Sequence, residues 1–190
     1  MVLYLSIIFV SMCLITALNI FANGVNVWHA VLAVTICTVF QFAIDGVFAI
    51  IVKKLPEQWF SKDKKCFQVS KKSQKFYEKL GVRKWKDKVW ELGGLGGFRK
   101  NKVSEPENIK YVEKFIVESN KGIITHIICT LVGFLDMLIL PKKHILSIAL
   151  PVAIVNLILN ILPIIVLRYN YPKLQTMYKR LQRKAMSGLA

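Results

Sequence analysis

The sequence predicts an all-α polytopic membrane protein with four transmembrane helices and a large, basic, interface-associated cytosolic loop between the second and third. Three observations predict it. Of the 190 residues 54% are hydrophobic and the mean hydropathy is +0.45, whereas soluble domains run at about 45–50% apolar. Four apolar runs, 2–22, 28–52, 122–140 and 144–167, are each long enough to cross a bilayer, which takes about 20 residues. The charge sits between those runs: of 27 Lys and Arg, 19 lie from Lys53 to Lys121 and six from Arg168 onward.

Each run has its own justification. The first has no basic residue before it and exceeds the usual signal-peptide core of about 7–15 residues, so a retained anchor is expected. The second carries Asp45, which costs about 3 kcal/mol on the insertion scale, and its Val, Ile, Phe and Ala neighbours together offset that. With four spans the N-terminus, the loop 53–121 and the tail 168–190 share one side. That side holds 25 of the 27 basic residues, which makes it cytoplasmic. The expectation is a single membrane domain, 1–190, multi-pass in the cell membrane, with both termini cytoplasmic.

The net charge of +16 placed in this way points to anionic lipid and speaks against nucleic acid as a partner. Cys13, Cys37 and Cys129 stand inside apolar runs and Cys66 alone in the basic loop, a spacing that gives neither a disulfide framework nor a metal site. No metal and no cofactor are expected.

The loop has structure of its own. Ser104 with Glu107 reads as a capping box that starts a helix with the apolar stripe Ile109, Val112, Phe115 and Ile116. Earlier, Trp59, Phe60, Phe67, Phe76, Tyr77, Trp85 and Trp90 alternate with lysines, a mixture suited to the headgroup layer.

Polar residues inside spans are costly and mark interiors or sites. Thr38, Gln41 and Asp45 share one face of the second span, Gly122, His126, Cys129, Thr130, Gly133 and Asp136 one stripe of the third, and Asn156 and Asn160 lie one turn apart in the fourth. At about 1.5 Å per residue, His126 lies roughly 6 Å below the cytosolic boundary and Asp45 and Asn160 roughly 10–12 Å below it, while Asp136 is about 15 Å further along than His126. His126 is therefore the candidate general base, able to take a proton from a hydroxyl that attacks an ester or thioester. Such a ring needs an orienting group. Glu118 serves only if the helix breaks near Asn120-Lys121-Gly122, and Asp87 and Glu91 are the rivals.

The segments Val82-Arg83-Lys84-Trp85-Lys86-Asp87-Lys88, Glu113…Glu118…His126 and Arg168-Tyr169-Asn170-Tyr171-Pro172-Lys173-Leu174 follow one another as blocks do in the glycosyl-4,4'-diaponeurosporenoate acyltransferase family, which the chain resembles over about 55–175. The resemblance implies transfer of a fatty acyl group to a sugar hydroxyl of a membrane glycolipid such as a glycosylated carotenoid acid. The stretch from Glu91 to Lys100, with its Gly-Gly-Leu-Gly-Gly run, and Trp90 just before it depart from the family's pattern.

The expected activity is that of a membrane O-acyltransferase. Its donor is acyl-CoA or acyl carrier protein, its acceptor a lipid-linked sugar or similar membrane lipid. His126 is the base, oriented by Glu118, Asp87 or Glu91. Arg83, Lys84, Trp85, Lys86, Arg168, Tyr169, Asn170, Asp45 and Asn160 are the substrate-binding candidates. Basic residues would draw in an anionic donor. Rival readings are a small transporter or lipid-binding protein that uses the intramembrane polar residues, and another interfacial lipid-modifying transferase.

Overall fold

The computed structural model of the chain describes residues 2–89 and 103–188; Trp90, Glu91 and the glycine-rich stretch 93–97 lie outside the described residues. Among the described residues the regular elements are helices: α1 (Val2–Phe21), α2 (Val27–Lys54), α3 (Lys71–Lys79), α4 (Val82–Trp85), α5 (Ile109–Val132), α6 (Lys142–His144) and α7 (Leu150–Met186). Tyr4–Phe21, Val27–Lys54, Ile109–Leu138 and Lys142–Met186 are long and apolar enough to cross a membrane. The chain is a membrane protein of the predicted all-α class. It divides into two compact units, Met1–Ile51 with Thr125–Leu162 and Val52–Ile124 with Pro163–Ala190.

In the first unit Ile15, Val34, Cys37, Ile148 and Val152 form a core against which Met12, Ala33, Leu140 and Val155 pack. Leu14 and Leu18 on α1, Val39 and Ile50 on α2 and Leu131 on α5 are exposed. A lipid-facing surface has to be apolar because hydrocarbon satisfies no polar group. For the same reason the prolines of the last span create a problem. Pro151 and Pro163 have no N–H for the carbonyls four residues back, Ser147 and Leu159. Helix α1 supplies the missing donors: Asn19 Nδ2 reaches Ser147 O at 2.7 Å, and Tyr4 Oη donates to Leu159 O.

Past Val132 the third span tightens into 3₁₀ helix, Gly133–Leu138, and Pro141 precedes α6. Residues Ile145–Ala149 form a π-helical turn before α7.

The second unit contains most of the loop, and it has a core. Phe60, Phe67, Tyr77, Val82, Val112, Phe115, Ile116, Tyr171, Leu174 and Leu181 are buried, whereas Trp59 and Phe76 are exposed. The lysine-rich stretch thus divides its aromatics, some to the interior and some to the surface. Ser70 caps α3 by accepting from Ser73 N. Gly81 ends that helix with a φ of 63°, a left-handed conformation that glycine adopts without a Cβ penalty, and α4 follows at once.

Helix α5 starts at Ile109, where the sequence had suggested Ser104. The cap is Asn108, whose Oδ1 accepts from Tyr111 N at 3.2 Å and whose Nδ2 donates to Glu105 Oε2 at 2.7 Å. An Asn cap supplies the same acceptor as a serine, and Pro106 standing just before it keeps the chain out of helix at Glu105.

Candidate active site

The polar stripes of the three spans meet inside the first unit. Asn160 is their hub. Its Nδ2 faces three acceptors, Asn156 Oδ1 at 2.9 Å, Asn156 O at 3.1 Å and Asp45 Oδ2 at 3.4 Å. That leaves Oδ1 turned toward His126, whose Nδ1 lies 2.8 Å away. An amide oxygen only accepts, so in the neutral ring Nδ1 carries the hydrogen and Nε2 the lone pair.

Around this hub Asn156 Nδ2 donates to Cys129 O at 3.2 Å and Cys129 Sγ approaches Asp45 O at 3.9 Å. Gln41 Nε2 divides its two hydrogens between Gly133 O and Asp136 Oδ2, each at 2.6 Å. Asp136 is fully buried and ties the second span to the third. Thr38 stays out of the network, bonded to Val34 O of its own helix at 2.8 Å. Asp45 Oδ1 is buried with no hydrogen-bond partner among the described residues. A carboxylate in this setting keeps its attraction for any positive charge that develops on the imidazole across the Asn160 amide.

The other candidates belong to the second unit. Arg83 and Lys84 are exposed on α4. Trp85 gives its Nε1–H to Leu80 O at 3.1 Å, and Lys86 pairs with Asp87 at 2.8 Å. Arg168 spends its Nε–H on Tyr77 Oη at 3.2 Å, which holds the planar fork and leaves its Nη donors. Tyr169 is buried with Lys173 Nζ 5.2 Å over its ring, and Asn170 is half-buried on α7. Glu118 lies 3.7 Å from Lys121 Nζ. The break on which its proposed role depended is absent, because α5 runs unbroken from Ile109 to Val132.

Two features of this unit escaped the sequence reading. Lys62 Nζ bonds Glu113 at 2.7 Å and lies 4.9 Å over the Tyr178 ring, while its carbonyl accepts from Tyr171 Oη and Gln175 Nε2. The Glu113 hydrogen bond holds the Lys62 ammonium well above the usual lysine range, against the opposite pull of burial. Tyr77, the partner of Arg168, looks in the sequence like one more interface aromatic. No local signal marks either pairing, since both join residues more than 50 positions apart.

The model of the glycosyl-4,4'-diaponeurosporenoate acyltransferase family matches residues 56–180. The chain belongs to that family. No curated protein and no solved structure gives a match. A glycosyl-4,4'-diaponeurosporenoate acyltransferase family member is an acyltransferase of carotenoid-related metabolism, working with an acyl donor and a glycosylated lipid acceptor. The match takes in the Arg83–Lys86 block, His126 and the Arg168–Asn170 block; Asp45, the far end of the imidazole's support, stands before it.

Proposed function

We propose that the chain is a cell-membrane O-acyltransferase, both termini cytoplasmic, that moves a fatty acyl group from a thioester donor, acyl-CoA or acyl carrier protein, to a sugar hydroxyl of a membrane glycolipid, with His126 as general base. The observation that carries this reading is the Nδ1 contact to Asn160 Oδ1 at 2.8 Å, which presents Nε2 as the basic nitrogen. In the reaction the acceptor oxygen attacks the thioester carbonyl carbon as Nε2 takes the hydroxyl proton. The C–S bond then breaks, the thiolate recovers that proton from the imidazolium, and an ester is left.

In this account Asn160 and Asp45 orient the ring and balance its transient charge, the role for which the sequence offered Glu118, Asp87 and Glu91. Arg168 and Asn170, flanking the buried Tyr169, bind the acceptor headgroup with a planar fork and an amide. Arg83, Lys84 and Lys86, with Trp85 among them, form a basic patch that attracts the anionic donor from solution. A transport role for Asp45 has less in its favour, because its carboxylate accepts from the amide that holds His126.

His126→Ala tests the assignment. Membranes carrying the variant should insert and accumulate the protein normally yet lose roughly 10²–10⁴-fold in transfer rate, read by mass spectrometry as disappearance of the acylated glycolipid. Near wild-type transfer in the variant removes the imidazole from the mechanism.

A further inference from the structure

The part of α7 beyond the last apolar turn is strongly basic. After Asp136 the chain has no Asp or Glu at all, and from Lys179 to Lys184 it places four cations within six residues. A polybasic helix beside a membrane ordinarily lies in the interface with its apolar face in lipid. This one does not. Its apolar face, Tyr171, Leu174 and Leu181, is buried within the second unit, and it is tied there by Tyr171 and Gln175 to Lys62 O.

Two adjoining grooves open along this helix. The wider, about 490 Å³, is lined by Thr176, Lys179, Arg180, Arg183, Lys184 and Ser187. The narrower, about 170 Å³, is lined by Gln68, Val69, Tyr171, Pro172 and Gln175 and shares Thr176 and Lys179 with the first. The two therefore adjoin. Lys184 lies 3.4 Å from Glu107, and the Thr176 and Ser187 hydroxyls donate to the carbonyls of Pro172 and Lys184. Among the described residues Lys179, Arg180 and Arg183 have no carboxylate within ion-pair distance. The wide one is an open groove whose lining residues all lie along the last turns and the end of α7, so it presents a cationic helix face. Lys179 lies roughly 18 Å along α7 from Leu167, the last residue of the apolar run, whereas a headgroup layer is only about 5–8 Å deep.

We infer that this paired cleft seats the acyl donor as a coenzyme A thioester: the diphosphate and 3′-phosphate against Lys179, Arg180, Arg183 and Lys184, and the thin pantetheine arm along Gln175 and Tyr171. The inference rests on the acyl-transfer reading and names its donor. Arginine forks bind phosphate oxygens in pairs, and a narrow polar slot suits an unbranched amide chain. Lipid headgroups fit this place less well, given the distance from the apolar run. An acidic carrier protein needs a broad surface and makes no use of the slot.

The test is a calorimetric titration of unacylated coenzyme A into the full-length protein in phosphatidylcholine nanodiscs, where no anionic lipid competes. The wild type should bind saturably. Arg180→Glu with Arg183→Glu should weaken binding by about tenfold or more, and Thr176→Trp, which keeps the charge and fills the junction of the clefts, should weaken it as well. Both variants should unfold at the wild-type temperature. Equal binding by the double variant overturns the inference. So does saturable binding of phosphopantetheinylated acyl carrier protein with none of coenzyme A, or a loss confined to binding of phosphatidylserine vesicles. If coenzyme A binds through these arginines but no acyl transfer occurs from any donor, the proposed activity fails and the site stands. If transfer occurs with coenzyme A binding indifferent to the cleft, the site fails and the activity stands.

Discussion

At the scale of single residues, the site depends on which way one amide points. Asn160 has its nitrogen surrounded by acceptors and its oxygen on His126, so the amide favours the tautomer with hydrogen on Nδ1. Asn160→Ala should leave substrate affinity nearly unchanged and lower kcat by about 10²-fold, the order expected when a reacting group is misplaced by an ångström. The direct readout is the ¹⁵N spectrum of His126 in labelled protein, in which the preference for hydrogen on Nδ1 should fall. An unchanged spectrum means that Asn160 does not position the ring. His126, Asp45 and Asn160 were each visible in the sequence because ionisable and amide residues in apolar runs stand out. Their pairing was not, because carboxylates looked like better partners than an amide, and only the packing of the second, third and fourth spans decides between them.

At the scale of elements, the third span turns on Gly133. A Cβ there would stand 2.4 Å from Asn156 Nδ2 and 2.9 Å from Gln41 Oε1, both side chains already committed to hydrogen bonds. Gly133→Ala should cost about 1–3 kcal/mol as overpacking in a close-packed interior, measured as a lower midpoint of thermal unfolding in nanodiscs. Gly46→Ala, at a position with nothing within 4 Å, is the control and should be neutral or slightly stabilising. Equal midpoints for the two variants would show that the close approach has no energetic weight. Hydropathy located the four spans well, since a run of some 20 apolar residues has few other fates in water. It located the ends less well: α5 begins well before the apolar run starting at residue 122, and α7 continues well past 167. Those extensions are stabilised by the core of the second unit, and a hydropathy window does not see that packing.

For the molecule as a whole, charge and packing are arranged together. The second unit buries part of its aromatic set, Phe60, Phe67, Tyr77, Phe115, Tyr169 and Tyr171, yet keeps most of its lysines exposed, and the Lys62–Glu113 pair joins the loop to α5 at 2.7 Å. Because Lys62 has its pKa raised above its ordinary 10.5, the pair contributes in full below that pH, and its contribution is lost as pH climbs through the folded-state value. Glu113→Gln removes the cause of the shift, so near-UV dichroism should be lost at a lower alkaline pH than in the wild type. Coincident alkaline transitions would show the pair to be inert. The stripe Val112, Phe115 and Ile116 announced one side of this core; the rest of the loop did not, because its helices α3 and α4 are short and its aromatics alternate with cations, as interfacial anchors also do.

The first helix has a further consequence. In hydrocarbon a carbonyl deprived of its helical donor finds no solvent to replace it, and prolines have left Ser147 and Leu159 in that condition. Asn19 and Tyr4 fill both vacancies from outside the last span. Helix α1 therefore acts as a splint for a fractured rod, and the rod it sets is the one that carries Asn160.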